Sequence, residues 1–313
     1  MFSKPTFNPT TDIPSLTGKV ILVTGGTAGL GRSSILALAA HEPAHIFFTG
    51  RSQASATAVM EEAKSKPESS STSITFIPCD LADLSSVQRA AQAILRQAEK
   101  LDIAMMNAGV MALPPGQTKD GYEIQFGTNH VGQALLLRLL TPLLLSTAAT
   151  PTPSDVRVIW TTSQGYRIHP KDGILFPALK TPQADISLFA GAIIRYGQSK
   201  LANLLYARAY ATHHPSITCV SLHPGVSATG LVTSMGWMYR ALVYVTCVGK
   251  MVSAEECAWN QLWAATAAGE AVVSGRYYEP VGVETAPGGE GSNDELADRL
   301  WEWTEKELEG WQL

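Results

Sequence analysis

The sequence predicts a doubly wound α/β fold, a parallel sheet with helices on both faces, from three observations. Short apolar, often β-branched runs recur at 20–23, 44–49, 74–79, 103–107, 156–161 and 218–222. Stretches with helical apolar spacing lie between them, at 32–40, 53–64, 84–98, 123–144 and 196–210. A glycine-rich turn, Thr24-Gly25-Gly26-Thr27-Ala28-Gly29-Leu30-Gly31, directly follows the first run. Continuous rather than alternating apolar runs belong to strands buried on both faces. Strands that alternate with helices require right-handed crossovers and hence a parallel sheet.

No repeat or low-complexity linker divides the 313 residues. The expected organisation is an N-terminal extension (1–16) and a single domain (17–313). That domain carries an insertion at 167–194, a substrate lid at 226–253 and a C-terminal helix at 294–310. The Ser-rich stretch 65–73 reads as a surface loop. The net charge of −4 and the absence of a basic tract argue against nucleic acid as a partner. Cys79, Cys219, Cys247 and Cys257 form no C-x-x-C or Cys/His cluster, so neither a metal nor a disulfide framework is implied. The first sixteen residues are polar, carry Pro5, Pro9 and Pro14, and lack the apolar core of a signal peptide, so a soluble cytoplasmic protein is expected.

The glycine turn leads from the first strand into the first helix, where free N–H groups and the positive end of the helix dipole face an anion. Gly25 suits a tight turn, Gly29 close approach of a pyrophosphate, and Gly31 close packing of helix on strand. A plain βα turn without ligand is the competing reading. Ligands of such sheets lie beyond the carboxyl ends of the strands. There the second run is followed by Arg51, a cation suited to a ribose 2′-phosphate, so NADP(H) is favoured over NAD(H). The alternative is a solvated surface arginine. Asp80, after the third run, either accepts from an adenine amino group or caps the following helix. Asn107, Ala108 and Gly109, after the fourth, are small enough to lie against a ribose.

The fifth run ends in Thr161-Thr162-Ser163, and Tyr196-Gly197-Gln198-Ser199-Lys200 opens a later helix. Tyr196 and Lys200 are spaced i, i+4 and share one face. A nearby ammonium, joined by an oxidised nicotinamide, would lower a phenol pKa that is ordinarily near 10.

In this order the residues resemble the short-chain dehydrogenases/reductases over roughly residues 17–280. The resemblance rests on T-G-x-x-x-G-x-G at 24–31, Asp80, N-A-G at 107–109, Asn129, Ser163, Y-x-x-x-K at 196–200 and His223-Pro224-Gly225. It implies a Rossmann-type doubly wound fold and the cofactor NADP(H). By resemblance Tyr196 is the acid/base, Ser163 binds the substrate oxygen, and Lys200 lowers the tyrosine pKa and binds the nicotinamide ribose. Asn129 holds a relay water or, alternatively, satisfies a backbone bulge. Gly25, Thr27, Ala28, Gly29, Leu30, Gly31, Arg51, Asp80, Leu81, Asn107, Ala108, Gly109, Tyr196, Lys200, Pro224, Gly225, Val226 and Thr229 are the implied cofactor contacts.

The gap between Ser163 and Tyr196 is longer than in small members, and the segment resembles the retinol-dehydrogenase-like and protochlorophyllide-reductase-like branch. The apolar run 231–252, with Met235, Trp237, Met238, Tyr239, Leu242 and Tyr244, reads as a substrate lid. A membrane span is the competing reading; Gly236, Arg240, Gly249 and Lys250 interrupt it, which favours a mobile apolar lid or an interfacial helix. Cys247 reads as lid packing. The tail 296–308 and the stretch 274–278 resemble fungal members, and the tail is expected to pack or to contact a second copy. The functional expectation is an NADPH-dependent reductase, or the reverse dehydrogenase, for a bulky apolar ketone, aldehyde or alcohol. C=C reduction, a redox-neutral rearrangement and a non-catalytic NADP(H) sensor are the alternatives. The expected partner is a small apolar carbonyl or alcohol substrate; a homodimer is compatible with the sequence, and contact with a membrane surface is the less favoured alternative.

Overall fold

The computed structural model describes residues 7–65, 72–150, 155–187, 189–227 and 251–313. Six strands, β1 (Val20–Val23), β2 (His45–Gly50), β3 (Ser73–Pro78), β4 (Ile103–Met106), β5 (Arg157–Thr161) and β6 (Thr218–Leu222), pair in parallel. They coincide within a residue or so with the predicted runs. Two pairs follow late in the chain. β7 (Val226–Ser227) lies parallel to β8 (Met251–Val252), while β9 (Tyr277–Glu279) extends the main sheet beside β6 and carries β10 (Val283–Glu284) antiparallel at its edge. The sheet order is β10-β9-β6-β5-β4-β1-β2-β3. The chain therefore leaves β1 in one direction for β2 and β3 and returns to the other side for β4. The crevice between β1 and β4 is the switch point.

Helices α1 (Gly29–Ala39), α2 (Gln53–Lys64), α3 (Leu84–Leu95), α4 (Ile124–Ala148), α5 (Gly191–His213), α6 (Ala254–Thr266) and α7 (Asp294–Leu308) cover the two faces. One core cluster packs α3, α4, α5 and α7 on one face of the sheet; a second packs α1, α2 and α6 on the other. β4 and β5 are buried throughout, as continuous apolar runs require.

Helix ends are where the structure corrects the sequence reading. α5 begins at Gly191, so Tyr196 lies inside the helix rather than opening it, and the end of the expected insertion 167–194 is helical. The rest of that insertion is held by short 3₁₀ turns at Gln164–Arg167, Phe176–Ala178 and Ala184–Ile186. α3 stops at Leu95. α4 runs on to Ala148 and contains a π-helical turn at Gly127–Val131. α6 had a readable start, the capping box in which the Ser253 hydroxyl accepts from Glu256 N and the Glu256 carboxylate accepts from Ser253 N. α4 is long and apolar enough to cross a membrane, but 67% of its most apolar window is buried inside the protein, between the sheet and neighbouring helices. The lid segment, with Thr229, Trp237, Met238, Leu242 and Cys247, lies largely outside the described residues, as does the loop 66–71. The β7–β8 pairing brings the two ends of segment 228–250 together.

The C-terminal helix packs within the domain. Trp301 stacks on Tyr206 and His213, Thr304 meets His130 at 3.0 Å, and Glu305 pairs with Arg138 at 3.0 Å. Leu300 is fully buried in this seam. Leu300→Ala should lower unfolding free energy by about 2–5 kcal/mol, the range for a buried Leu cavity, as read by urea denaturation.

Candidate functional site

Loops from the carboxyl ends of β1, β4 and β5 and the first turns of α5 meet at the switch point. Gly25 has φ 67° and Gly29 φ 52°, left-handed values that favour glycine. A Cβ on Gly25 would lie 2.9 Å from Ala108 Cβ, so the turn rests on the loop after β4. A Cβ on Gly31 would lie 2.4 Å from Gly25 O and 2.7 Å from Asn107 Nδ2. Gly31 thus serves close packing against the turn, not against the strand. Helix-on-strand packing falls to Gly26, whose Cβ would collide with Ile35 and Phe48, and the sequence reading had given it no role. Ala28, the residue before α1, offers no side-chain cap, so the leading N–H groups of the helix are left for another acceptor.

The loop after β4 is braced rather than open. Asn107 Nδ2 donates to Thr24 O at 2.8 Å, and Ala108 N donates to Thr24 Oγ1 at 3.0 Å. Thr24 Oγ1 donates to Gln133 Oε1 at 2.7 Å, and Gln133 Nε2 donates to Ala108 O at 2.8 Å. Asn107 and Ala108 therefore fix the loop's shape, and Gly109 is left facing the centre. A Cβ there would meet Lys200 Nζ at 3.3 Å and Asn129 Oδ1 at 3.2 Å. Arg51 is exposed just past β2 and, among the described residues, has no ion pair. Thr27 packs its methyl on Gly50, 2.6 Å from where a Cβ would sit. Asp80 does not cap α3. Asp83 does, accepting from Ser86 N at 3.2 Å, because it is the residue directly before the helix. Asp80 Oδ1 accepts instead from Ala82 N at 3.0 Å. Leu81 is buried, its carbonyl lying where a Cβ on Gly132 would fall.

Ser163 leaves β5 and caps a 3₁₀ turn, its Oγ accepting from Gly165 N at 3.1 Å. The Tyr196 phenol lies beside the same Ser163 side chain, which favours its ionised form. This contact depends on two glycines the sequence reading passed over. A Cβ on Gly197 would lie 1.9 Å from Ile168 O, and one on Gly165 would lie 3.2 Å from Tyr196 Cε1. Glycine inside a helix is costly, and Gly197 in Y-G-Q-S-K was the available signal of close packing. Lys200 Nζ donates to Thr161 O at 2.9 Å and stands 5.8 Å from the Tyr196 ring centroid. Asn129 lies in the π-helical turn of α4. Its Oδ1 accepts from Val110 N at 2.7 Å, and its Nδ2 donates to Val110 O at 2.9 Å and to Ser199 Oγ at 2.8 Å. Its side chain bonds the loop after β4 and α5.

Burial sets the electrostatics. It pushes the Tyr196 phenol up to about 12, against the opposing hydrogen bond from Ser163. It pulls Lys200 down to about 7. In the chain alone the balance on the phenol is between burial, which raises it, and Ser163, which lowers it. His223 is brought down to about 4 by burial and is neutral; its Nδ1 faces Gln164 N at 3.4 Å, beside Ser163. Pro224, Gly225 (φ 98°) and Val226 follow, with Gly225 against Cys257 and Val252.

A family model described as short chain dehydrogenase matches residues 19–169. A short-chain dehydrogenase/reductase of Aspergillus calidoustus is 33% identical over 308 residues, covering 95% of either chain. The chain belongs to the short-chain dehydrogenase/reductase family. It is an enzyme of that NAD(P)-dependent class. An uncharacterised oxidoreductase of Schizosaccharomyces pombe is 42% identical over 230 residues, 73% of this chain and 65% of that protein. Among solved structures, a blue fluorescent protein from a metagenomic library in complex with NADPH is 26% identical, with a TM-score of 0.64 over 87% of this chain and 100% of that one. Carbonyl reductase from chicken fatty liver, bound to NADPH, shares the fold at 22% identity and a TM-score of 0.63, covering 87% and 100%.

Gly197→Ala should separate α5 from the turn 165–168, since the clash is with backbone that cannot swing aside. A fall in melting temperature together with a loss of turnover of about 10²-fold is expected, the scale of an ångström-sized misplacement. A thermal melt and an NADPH-oxidation assay read both.

Proposed function

We propose that the protein transfers hydride from NADPH to the carbonyl of a bulky apolar ketone or aldehyde. The observation that carries the reading is Tyr196 beside Ser163, with the buried Lys200 one turn on and 5.8 Å from the Tyr196 ring, at the carboxyl end of the sheet. A phenol held near 12 keeps its proton at neutral pH, so the free chain rests in the protonated form from which a reduction starts.

The residues present fit the dinucleotide. The uncapped amides of α1 and the left-handed Gly25 and Gly29 suit a pyrophosphate, Arg51 a 2′-phosphate, and Asp80 an adenine. Gly109 and Lys200 suit the nicotinamide ribose, with Pro224, Gly225 and Val226 beside the ring. Related folds that are bound to NADPH support the same choice. When bound, the cofactor supplies the hydride. Ser163 then holds the developing oxyanion, Tyr196 Oη delivers the proton to it, and the Lys200 ammonium stabilises the phenolate left behind. Asn129 holds the loop after β4 in place through Val110.

Apolar specificity is supported by the rim. Of the six large apolar side chains that are exposed among the described residues, Ile168, Phe189 and Val252 sit beside Gly197, the start of α5 and Gly225 respectively. We assign the substrate insertion (167–194) and the segment 226–253 to the same purpose and place the chain with the retinol-dehydrogenase-like branch. Catalysis as a soluble cytoplasmic enzyme completes the reading.

Arg51→Asp should weaken NADPH binding at least about tenfold, the value of a charge-assisted hydrogen bond, and leave NADH nearly untouched. Fluorescence titration measures both, and tighter wild-type binding of NADH would refute the cofactor choice. Tyr196→Phe should preserve NADPH binding and cut turnover by about 10²–10⁴-fold; near-normal turnover would favour a redox-neutral reaction. Because burial depresses Lys200, its proton is lost as pH rises through about 7. The profile of kcat/KM for NADPH, which reports free-enzyme ionisations, should fall with rising pH through that region. Lys200→Met should lack that limb.

A further inference from the structure

The residue before the acid/base is an arginine whose charge has no access to solvent. Arg195 is 2% exposed and lies in the second turn of α5. Its Nε stands 3.3 Å from Glu123 Oε1, and Glu123 is itself wholly buried. Glu123 uses its other oxygen to accept from Gln125 N at 3.0 Å and Phe126 N at 2.6 Å, so it also caps α4. Burial raises the Glu123 carboxyl, and those amides and Arg195 oppose it. The remaining arms of the guanidinium reach two loops far apart in sequence. Nη1 donates to Gln183 O at 3.2 Å, and Nη2 donates to Leu113 O at 3.0 Å.

Both loops are left-handed at this point. Gln183 has φ 50°, and Ala112, immediately before Leu113, has φ 54°. Such backbone in a residue with a Cβ persists only where its surroundings hold it. Both loops also border the reacting groups. The chain after β4 passes Lys200 at Gly109, then packs Met111 and Ala112 against Ala192 and Ile193, one turn ahead of Tyr196. Gln183 belongs to the insertion between Ser163 and Tyr196, and its Oε1 accepts from Gln198 Nε2 at 3.1 Å.

We propose that the buried Arg195–Glu123 pair is a positioning device for the substrate. It clamps the loop 107–113 and the insertion at Gln183 against the first turns of α5 and so sets the walls of the opening in front of Tyr196. A planar guanidinium can donate from two arms to separate backbone acceptors, here Gln183 O and Leu113 O, while its charge faces the Glu123 carboxylate, a geometry that a point-charge lysine does not reproduce. Taking two charges out of water is costly and gains the fold little over an apolar pair. Geometry at the site is what the pair supplies in return. The proposal rests on the reductase reading for its kinetic consequences but not for its structural ones.

The test compares wild type with Arg195→Lys, Arg195→Met and the double variant Glu123→Gln/Arg195→Met. NADPH oxidation with the aromatic diketone 9,10-phenanthrenequinone is the kinetic probe, and hydrogen exchange of the free proteins is the second readout. Arg195→Lys should keep its melting temperature and NADPH affinity while KM for the probe rises about tenfold and kcat changes less, the split expected when substrate placement is lost. The double variant, with no orphaned buried charge, should melt well above Arg195→Met yet keep the raised KM. Adding Ala112→Gly to Arg195→Met should lower KM again, because glycine holds φ near 54° without the clamp. Amides of 111–113 and 183–185 should exchange faster in all Arg195 variants. A double variant with wild-type KM and wild-type exchange in those loops would overturn the proposal, as would an Arg195→Lys protein altered in kcat alone. If wild type fails to oxidise NADPH with the probe, the reductase reading fails for that substrate class, and unchanged exchange still decides against the clamp.

Discussion

The contact on which the site depends is backbone against helix, where α5 crosses the turn that leaves β5. No side chain fits between Gly197 and Ile168 O. That approach lets Tyr196 meet Ser163 and lets Lys200 reach under the end of β5 to Thr161 O. The three reacting side chains come from two segments separated by the whole insertion. Their geometry is therefore set by how closely one helix can lie on one turn, and a single methyl at position 197 is enough to upset it. The clamp around Arg195 works on the other side of the same helix, so α5 is located from both directions.

The same closeness governs the electrostatics. Burial dominates the phenol and the ammonium alike and moves them in opposite directions. The phenol retains its proton and the lysine loses part of its affinity for one. A site in that state is poised to donate. The charge that would shift it toward accepting a proton has to arrive with a ligand.

Second to this comes the bracing of the loops. Thr24, Asn107, Ala108 and Gln133 form a closed ring of hydrogen bonds between the ends of β1 and β4, and Asn129 does the same for Val110. Asn107 and Asn129 hold the backbone that faces the site, whatever else they touch. Asp80 Oδ1 steadies its own turn through Ala82 N, while Asp83 takes the cap of α3.

Local physics determined much of this protein from sequence alone. Short apolar runs gave β1 to β6 nearly to the residue, since most of these strands are buried along their length; the edge strand β3 is only partly so. The glycine turn, Arg51, Ser163 and the Tyr196/Lys200 spacing were legible because each needs a particular residue type at a fixed local offset. The starts of α1 and α5, the π-helical turn in α4, and the short strands β9 and β10 were not, since their limits are set by what packs against them rather than by propensity. Gly26, Gly165 and Gln133 carried no local signal for their partners, and Gly197 carried one only as a costly residue inside a helix. Nothing in the local sequence singled out Arg195, which lies just ahead of the helix expected at 196–210. Only the tertiary structure could show that it is buried beside Glu123 and fastened to Leu113 and Gln183, because contacts between segments so far apart in the chain exist only once the sheet has brought them together.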